Sequence, residues 1–114
     1  NGRLVFNNIE VIPDENRFIF HFKKDGEPMV RSITAEGPIE AGLILMREVG
    51  MPVELVKYRQ VVVPEQDKLW AGRGLSRILL KIGSTEVEGR GVSSDTLKAN
   101  MRALFGGVNL LYRK

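Results

Sequence analysis

The sequence contains no cysteine and only one histidine, His21, among its 114 residues. Without cysteine there is no disulfide and no thiolate metal site, and one isolated histidine does not make a zinc site. We therefore expect no metal and interpret His21 as a surface or packing residue. No run of about eighteen apolar residues occurs, so we expect neither a membrane span nor a signal peptide. The chain begins with Asn1 instead of methionine, and we expect a fragment of a longer protein.

Residue combinations typical of catalysis are also missing. No histidine or other general base accompanies Ser93 and Ser94 in a pattern typical of a catalytic nucleophile. They are better interpreted as helix-capping residues. Gly72-Arg73-Gly74 lacks the lysine and the further glycine of a phosphate loop, and Gly89-Arg90-Gly91 lacks the third glycine of a dinucleotide fingerprint. The carboxylates near the helix starts are explained by the helix dipole. The sequence therefore predicts no catalytic residue and no cofactor in this domain.

Charge and composition are those of an ordinary globular domain. The chain has 17 basic and 14 acidic residues, a net charge of +3, and the basic residues are spread along the sequence. A nucleic-acid-binding domain usually gathers such residues on one face, so we interpret them as solvated surface charge and expect no nucleic-acid partner. With 43% hydrophobic residues there is enough material for one core, and we expect one domain over residues 1–114.

Alternating and helical patterns predict six strands and two helices. The predicted strands are 3–12, 17–24, 28–34, 53–63, 75–82 and 85–88, and the helices begin at Pro38 and near Ser93. A bulge is expected at Asn7-Asn8, and Asp25-Gly26 predicts a hairpin turn. The order strand-strand-strand-helix thus occurs twice, in repeats of about 3–52 and 53–109. The predicted fold class is α+β, with two pseudo-symmetric βββα units whose antiparallel sheets are covered by helices.

Side-chain periodicity assigns faces to these elements. The predicted apolar faces are Phe18, Phe20 and Phe22 in the second strand, Ile39, Leu43, Ile44 and Met46 in the first helix, and Leu97, Met101, Leu104 and Phe105 in the second. In the fourth strand, strict alternation places Leu55 on the face opposite Tyr58 and Val62. The second helix is expected to run from about Ser93 to Phe105 and to end at Gly106-Gly107, before a short tail.

Each predicted helix starts beside a glycine and an acid. These are Gly37 and Glu40 at the first helix, and Gly91 and Asp95 at the second. The N–H groups of a helix start are unpaired and carry partial positive charge. A glycine beside them lets another backbone or a small anion come close. The repeated pattern therefore predicts an internal duplication and a site for a carboxylate.

Four segments carry a resemblance to a known family. They are Glu36 to Ala41, Gly89 to Ala99, Val53 to Tyr58 and Ala103 to Asn109. In that order they resemble the motifs Gly-Pro-Val-Asp-Ala, Gly-x-Gly-Val-Ser-Thr-Asp-Ile-x-x-Ala, x-x-Leu-x-Asp-Tyr and Ala-x-x-x-x-x-Asn. These motifs are typical of the C-terminal regulatory domain of 2-isopropylmalate synthases and citramalate synthases.

The resemblance implies a domain that is not an enzyme on its own but part of an acetyl-CoA-dependent acyltransferase with an upstream catalytic barrel. It implies a cytoplasmic homodimer and feedback inhibition in branched-chain amino-acid biosynthesis by leucine or isoleucine. The effector-binding residues that it implies are Gly37, Glu40, Leu55, Tyr58, Val62, Ala71, Gly89, Gly91 and Val92. Ser93, Ser94 and Asp95 are expected to support the turn and to cap the second helix.

Two other functions stay open. Ala35 stands where the family often has glycine, Lys57 stands where it has an acid, and residues 65–74 depart from its usual pattern. A structural dimerisation module without effector binding is therefore a second hypothesis. A third is an RNA-binding α+β domain, which would bind RNA in a salt-sensitive way.

Overall fold

Two three-stranded antiparallel sheets and two helices make up the fold. The computed structural model describes residues 3–62 and 73–113. Its elements are β1 (Leu4–Ile12), a 3-10 turn (Pro13–Glu15), β2 (Arg17–Lys24), β3 (Glu27–Thr34), α1 (Pro38–Glu48), β4 (Glu54–Val62), β5 (Gly74–Ile82), β6 (Thr85–Ser93) and α2 (Thr96–Leu111). Sheet A has the strand order β1-β2-β3, and sheet B has the order β4-β5-β6. The predicted α+β fold of two βββα units is confirmed.

Sheet A forms as its sequence pattern indicates. A register shift between Phe6 and Asn8 marks the predicted bulge in β1. The side chains buried on one face of β2 are Phe18, Phe20 and Phe22. In the turn between β2 and β3, Asp25 and Gly26 both have positive φ, as a type I′ hairpin turn requires.

An unpredicted bulge in β4 changes which of its side chains share a face. The pairing with β5 shifts between Leu55 and Lys57, so Val56 is the extra residue. A shift of one residue moves a side chain to the opposite face of a sheet. Leu55 therefore joins Tyr58 and Val62 on the face of sheet B that α2 covers, and the prediction that separated them is wrong.

β6 continues through the two glycines that were expected to end it. The strand runs to Ser93, five residues beyond the predicted end at Glu88. If Gly89 or Gly91 were replaced by a residue with a side chain, its Cβ atom would lie within 3.0 Å of backbone atoms of α2. Both glycines thus allow the helix to pack directly on the strand, and another backbone fills the space beside them.

α2 starts later and ends later than predicted. It ends at Leu111, so the expected termination at Gly106-Gly107 is wrong. Gly107 lies inside the helix because it faces Gly89, where a side chain would not fit. The predicted tail is helical and partly buried, and Val108 has no exposed surface. The predicted apolar face of α2 is confirmed for Met101, Leu104 and Phe105, which are buried, and Leu97 is half-buried and packs against the core.

α1 has the predicted bounds but a different buried face. Gly37 is its N-cap, Pro38 is its first residue, and Gly50 follows its end with a φ of 82°. The buried residues are Ala41, Gly42, Leu45 and Met46, of which Met46 belongs to the predicted stripe. The other predicted residues, Ile39, Leu43 and Ile44, are half-buried and pack against the core. The buried face is rotated because α1 packs against α2 as well as against β3, with Leu104 filling the space beside Gly42.

α2 lies in the centre of the molecule and joins the two units. The ring of Phe105 packs edge-on against Phe6 and Phe22, with centroid distances of 5.4 and 6.0 Å. The Asn109 side chain accepts a hydrogen bond from the Leu4 N–H (2.8 Å) and donates one to the Leu4 carbonyl (2.7 Å). Its amide thus pairs with the edge of β1 as a neighbouring strand would. Side chains from both units form one hydrophobic cluster.

Candidate functional site

The α2-facing side of β4 is the most exposed apolar surface among the predicted effector-binding residues. Leu55 is 39% exposed, Tyr58 is 38% exposed and Val62 is 71% exposed. They lie on an edge strand beyond the cover of α2, which packs on β5 and β6. We call these three residues the β4 face. The fold therefore brings Leu55 together with Tyr58 and Val62, from which strict alternation would separate it.

A buried polar network connects the β4 face to α2. The Oδ1 atom of Asn100 accepts hydrogen bonds from the Tyr58 hydroxyl (3.0 Å), the Gln60 amide (3.3 Å) and the Ser76 hydroxyl. The Gln60 amide also donates to the carbonyl of Thr96 (3.3 Å). Asn100 is 8% exposed and Ser76 is fully buried. The network fixes the β4 face relative to the first two turns of α2, because buried polar groups hold the geometry that satisfies them.

Sequence reasoning missed three members of this network: Gln60, Ser76 and Asn100. Gln60 lies two residues after Tyr58 in a predicted strand, so the sequence already indicated that the two side chains share a face. Ser76 and Asn100 lie on the buried, otherwise apolar faces of β5 and α2, and such isolated polar residues indicate a hydrogen-bonded partner. That partner becomes visible only in three dimensions, since Asn100 is 42 residues from Tyr58.

The glycines and Val92 of the predicted set lie elsewhere on sheet B. Gly89 and Gly91 are on the same side as the β4 face but beneath α2, where helix backbone occupies the adjoining space. Val92 pairs with Leu75 on the opposite side of the sheet. Within one chain these three residues therefore lie apart from the β4 face.

The start of α1 belongs to the other unit. Gly37 has a half-buried backbone and provides no side-chain cap, so the first N–H groups of α1 have no side-chain acceptor at that position. The carboxylate of Glu40 accepts a hydrogen bond from the Glu36 N–H (2.9 Å), which holds the entry to the helix. Glu40 itself is exposed.

Side chains of the same chain cap the free N–H groups at the start of α2. The carboxylate of Asp95 accepts hydrogen bonds from the N–H groups of Leu97 (2.9 Å) and Lys98 (3.3 Å), so Asp95 is the N-cap and not a residue of the first turn. Ser93 accepts from the Asp95 N–H (3.1 Å), and Ser94 is exposed. A negative side chain at this position also suits the helix dipole.

The predicted set is thus divided among several places in one chain. Leu55, Tyr58 and Val62 are together, whereas Gly37 and Glu40 mark a different helix start. Ala71 lies outside the described residues. In the described ranges 3–62 and 73–113, no group of three carboxylate or histidine side chains is placed to hold a metal ion.

The outer face of sheet B, opposite α2, carries a second concentration of polar side chains. Arg59 pairs with Arg77, and Arg77 pairs with Arg90, so three arginines lie side by side across the sheet. We call them the arginine row. Glu88 accepts hydrogen bonds from the Nε atoms of Arg77 and Arg90, both at 2.9 Å. These bonds, with Arg77 contributing most, lower the pKa of Glu88 from its ordinary value of 4.5.

The architecture is that of two βββα units, each with a three-stranded antiparallel sheet that has two edge strands. A family model described as "LeuA allosteric (dimerisation) domain" matches residues 5–112. The chain therefore belongs to the LeuA allosteric (dimerisation) domain family.

A curated relative agrees with this assignment. The 2-isopropylmalate synthase of Ruminiclostridium cellulolyticum is 30% identical over 90 residues. The match covers 76% of this chain but only 17% of that relative. This chain is thus similar to a small part of a much longer enzyme. No helix of the described residues is long and apolar enough to cross a membrane.

Proposed function

We propose that this domain binds leucine or isoleucine and thereby inhibits an attached acyltransferase of the 2-isopropylmalate or citramalate synthase type. The observation that carries the proposal is the β4 face, an exposed apolar surface beside a fixed polar network, in a chain of an allosteric domain family. In the parent protein, an upstream catalytic barrel would use acetyl-CoA, and this domain would supply regulation and no catalytic group.

The chemistry of the β4 face suits a neutral amino acid. Leu55 and Val62 offer apolar contacts for a branched side chain, and each buried methylene is worth about 0.8 kcal/mol. The Tyr58 hydroxyl and the Gln60 amide offer neutral polar groups in fixed positions beside them. The ligand's carboxylate needs N–H donors, and the uncapped start of α1 at Gly37 provides such donors.

The proposed site is completed by a second copy of the chain. In one chain the β4 face and the α1 start belong to different units, so one molecule does not surround a ligand. A homodimer that covers the β4 face with the partner's α1 would bring apolar surface and carboxylate donors together. Because effector binding would then bury the exposed Val62, ligand and dimer should stabilise each other.

The test is calorimetric titration of the chain with L-leucine, L-isoleucine and L-valine, together with light scattering. We expect heat of binding with leucine or isoleucine, and a dimer. Val62→Asp should weaken both because it places a charge in the apolar site. Val30→Asp is the matched control, since Val30 is an exposed strand valine, 55% exposed, on sheet A. Absence of heat with all three amino acids would contradict effector binding.

A structural dimerisation module without an effector is the second candidate. It is favoured by the closed start of α2, where Asp95 takes the N–H groups that a ligand carboxylate would need. It predicts a stable dimer whose unfolding temperature does not change with any of the three amino acids. Val62→Asp would then weaken the dimer alone.

A further inference from the structure

We propose that the arginine row on the outer face of sheet B binds the phosphate chain of a small polyphosphate, such as a nucleoside triphosphate. This site lies on the side of the sheet opposite the β4 face. It is therefore separate from the proposed amino-acid site, and either can fail without the other.

Positive charge is concentrated around the arginine row. The outer face carries five cations (Lys57, Arg59, Arg77, Lys81 and Arg90) and three carboxylates (Glu54, Glu86 and Glu88), a charge of +2. Lys81 pairs with Glu54 and Glu86, so Glu88 is the one carboxylate beside Lys57 and the three arginines. The whole chain has a net charge of +3, so two of its three net positive charges lie on this face.

The arginine row is electrostatically unfavourable for the sheet. Like charges directly opposite each other on neighbouring strands destabilise a sheet, and the arginine row contains two such pairs. Glu88 offsets the repulsion between Arg77 and Arg90, so the uncompensated pair is Arg59 with Arg77. Among the described residues, neither Lys57 nor Arg59 forms an ion pair or a side-chain hydrogen bond that would offset this repulsion. A bound polyanion would convert the repulsion into attraction.

The spacing of the arginine row suits a short phosphate chain. Neighbouring strands are about 4.8 Å apart, so three guanidinium groups in register span about 10 Å, which suits a short phosphate chain. Glu88 uses one oxygen for each of two Nε atoms, which orients Arg77 and Arg90. A guanidinium held through Nε retains terminal amino groups that can donate to phosphate oxygens. Glu88 is thus a positioning residue for the site.

The shape of the surface favours a small ligand. A shallow depression at the centre of the cluster is lined by Lys57, Arg59, Arg77, Leu79 and Glu88. The described residues of this face include no aromatic side chain on which single-stranded RNA bases would stack. A second copy of the same face would oppose arginine with arginine. The neighbouring apolar row of Val61, Leu75 and Val92 offers contact to a nucleoside.

The experiment is calorimetric titration of the chain with sodium tripolyphosphate and with ATP, each without divalent cations at low ionic strength. We expect saturable binding of tripolyphosphate, and tighter binding of ATP if the apolar row contacts the nucleoside. Equal binding of the two would assign recognition to the phosphate chain alone. Both results support the site.

Two charge-reversed variants test the location. Arg59→Glu should weaken tripolyphosphate binding by about tenfold or more, since charge-assisted hydrogen bonds are lost and a repulsive group is added. Arg47→Glu is the matched control because Arg47 is exposed at the end of α1, away from sheet B. The circular dichroism spectrum of each variant checks that it is folded, and Arg59→Glu should keep any response to leucine.

Three results would overturn the proposal. The first is no saturable heat with either compound at millimolar concentration. The second is an equal loss of binding in Arg47→Glu, which would mean that only overall charge matters. The third is binding of a single-stranded RNA oligonucleotide without binding of tripolyphosphate, which would assign the cluster to nucleic acid.

Discussion

Replacing Gly89 with alanine tests how closely α2 packs on sheet B. An added Cβ would lie within 3.0 Å of the Ala103 carbonyl oxygen and of the backbone of Gly107. Backbone atoms of a helix cannot rotate away as a side-chain end can, so the helix must move as a body. Overpacking of a well-packed core costs about 1–3 kcal/mol, and we expect the upper end, about 3 kcal/mol, here.

Two other glycines calibrate the effect. Gly106 is in the interior of α2 and has no atom within 4 Å of an added Cβ, so Gly106→Ala should stabilise the protein by about 0.5–1 kcal/mol. At Gly42, an added Cβ would meet the far end of the Leu104 side chain, which can change rotamer. Gly42→Ala should therefore lie between the other two variants.

Urea unfolding followed by circular dichroism, at one fixed protein concentration, measures the series. With a slope of about 1.5 kcal/mol per molar urea, a loss of 3 kcal/mol lowers the midpoint by about 2 M. Gly106→Ala should raise the midpoint by about half a molar unit. If Gly89→Ala proves as stable as Gly106→Ala, the direct helix-on-strand packing described above is wrong.

Substitutions at Asn109, Phe105 and Glu88 test other contacts of the fold. Asn109→Ala removes both hydrogen bonds to Leu4, so it should lower the free energy of unfolding, measured with urea, by about 1–3 kcal/mol. It should also speed amide exchange at the start of β1, and unchanged exchange there would refute the pairing. Phe105→Ala should lower the free energy of unfolding by about 3–5 kcal/mol. Leu110→Ala, at an exposed position of the same helix, should change it by no more than about 0.5 kcal/mol. Similar losses in the two variants would contradict the central place of Phe105. The ion pairs of Glu88 lower its pKa, so they stabilise the fold above pH 4.5, and this contribution is lost as the pH falls below that value. The difference in unfolding temperature between the wild type and Glu88→Gln should therefore shrink on acidification below pH 4.5. A pH-independent difference would refute this prediction.

The sequence by itself determined the order of elements. Alternating phenylalanines marked β2, Asp25-Gly26 marked its turn, and Gly37-Pro38 marked the start of α1, because each of these signals acts between residues close in the chain. The resemblance of four segments also identified the family that the match over residues 5–112 shows. The effector and the effector-binding residues stay predictions.

The tertiary structure alone decided which residues share a surface. The bulge at Val56 moved Leu55 to the face of Tyr58, and the pairing of three strands collected arginines that are 18 and 13 residues apart in the sequence. It also decided that the helix continues through Gly106 and Gly107, because Gly107 packs closely on Gly89 of β6. Strand register and helix packing depend on contacts between distant segments, and the local patterns of a single sequence do not encode these contacts.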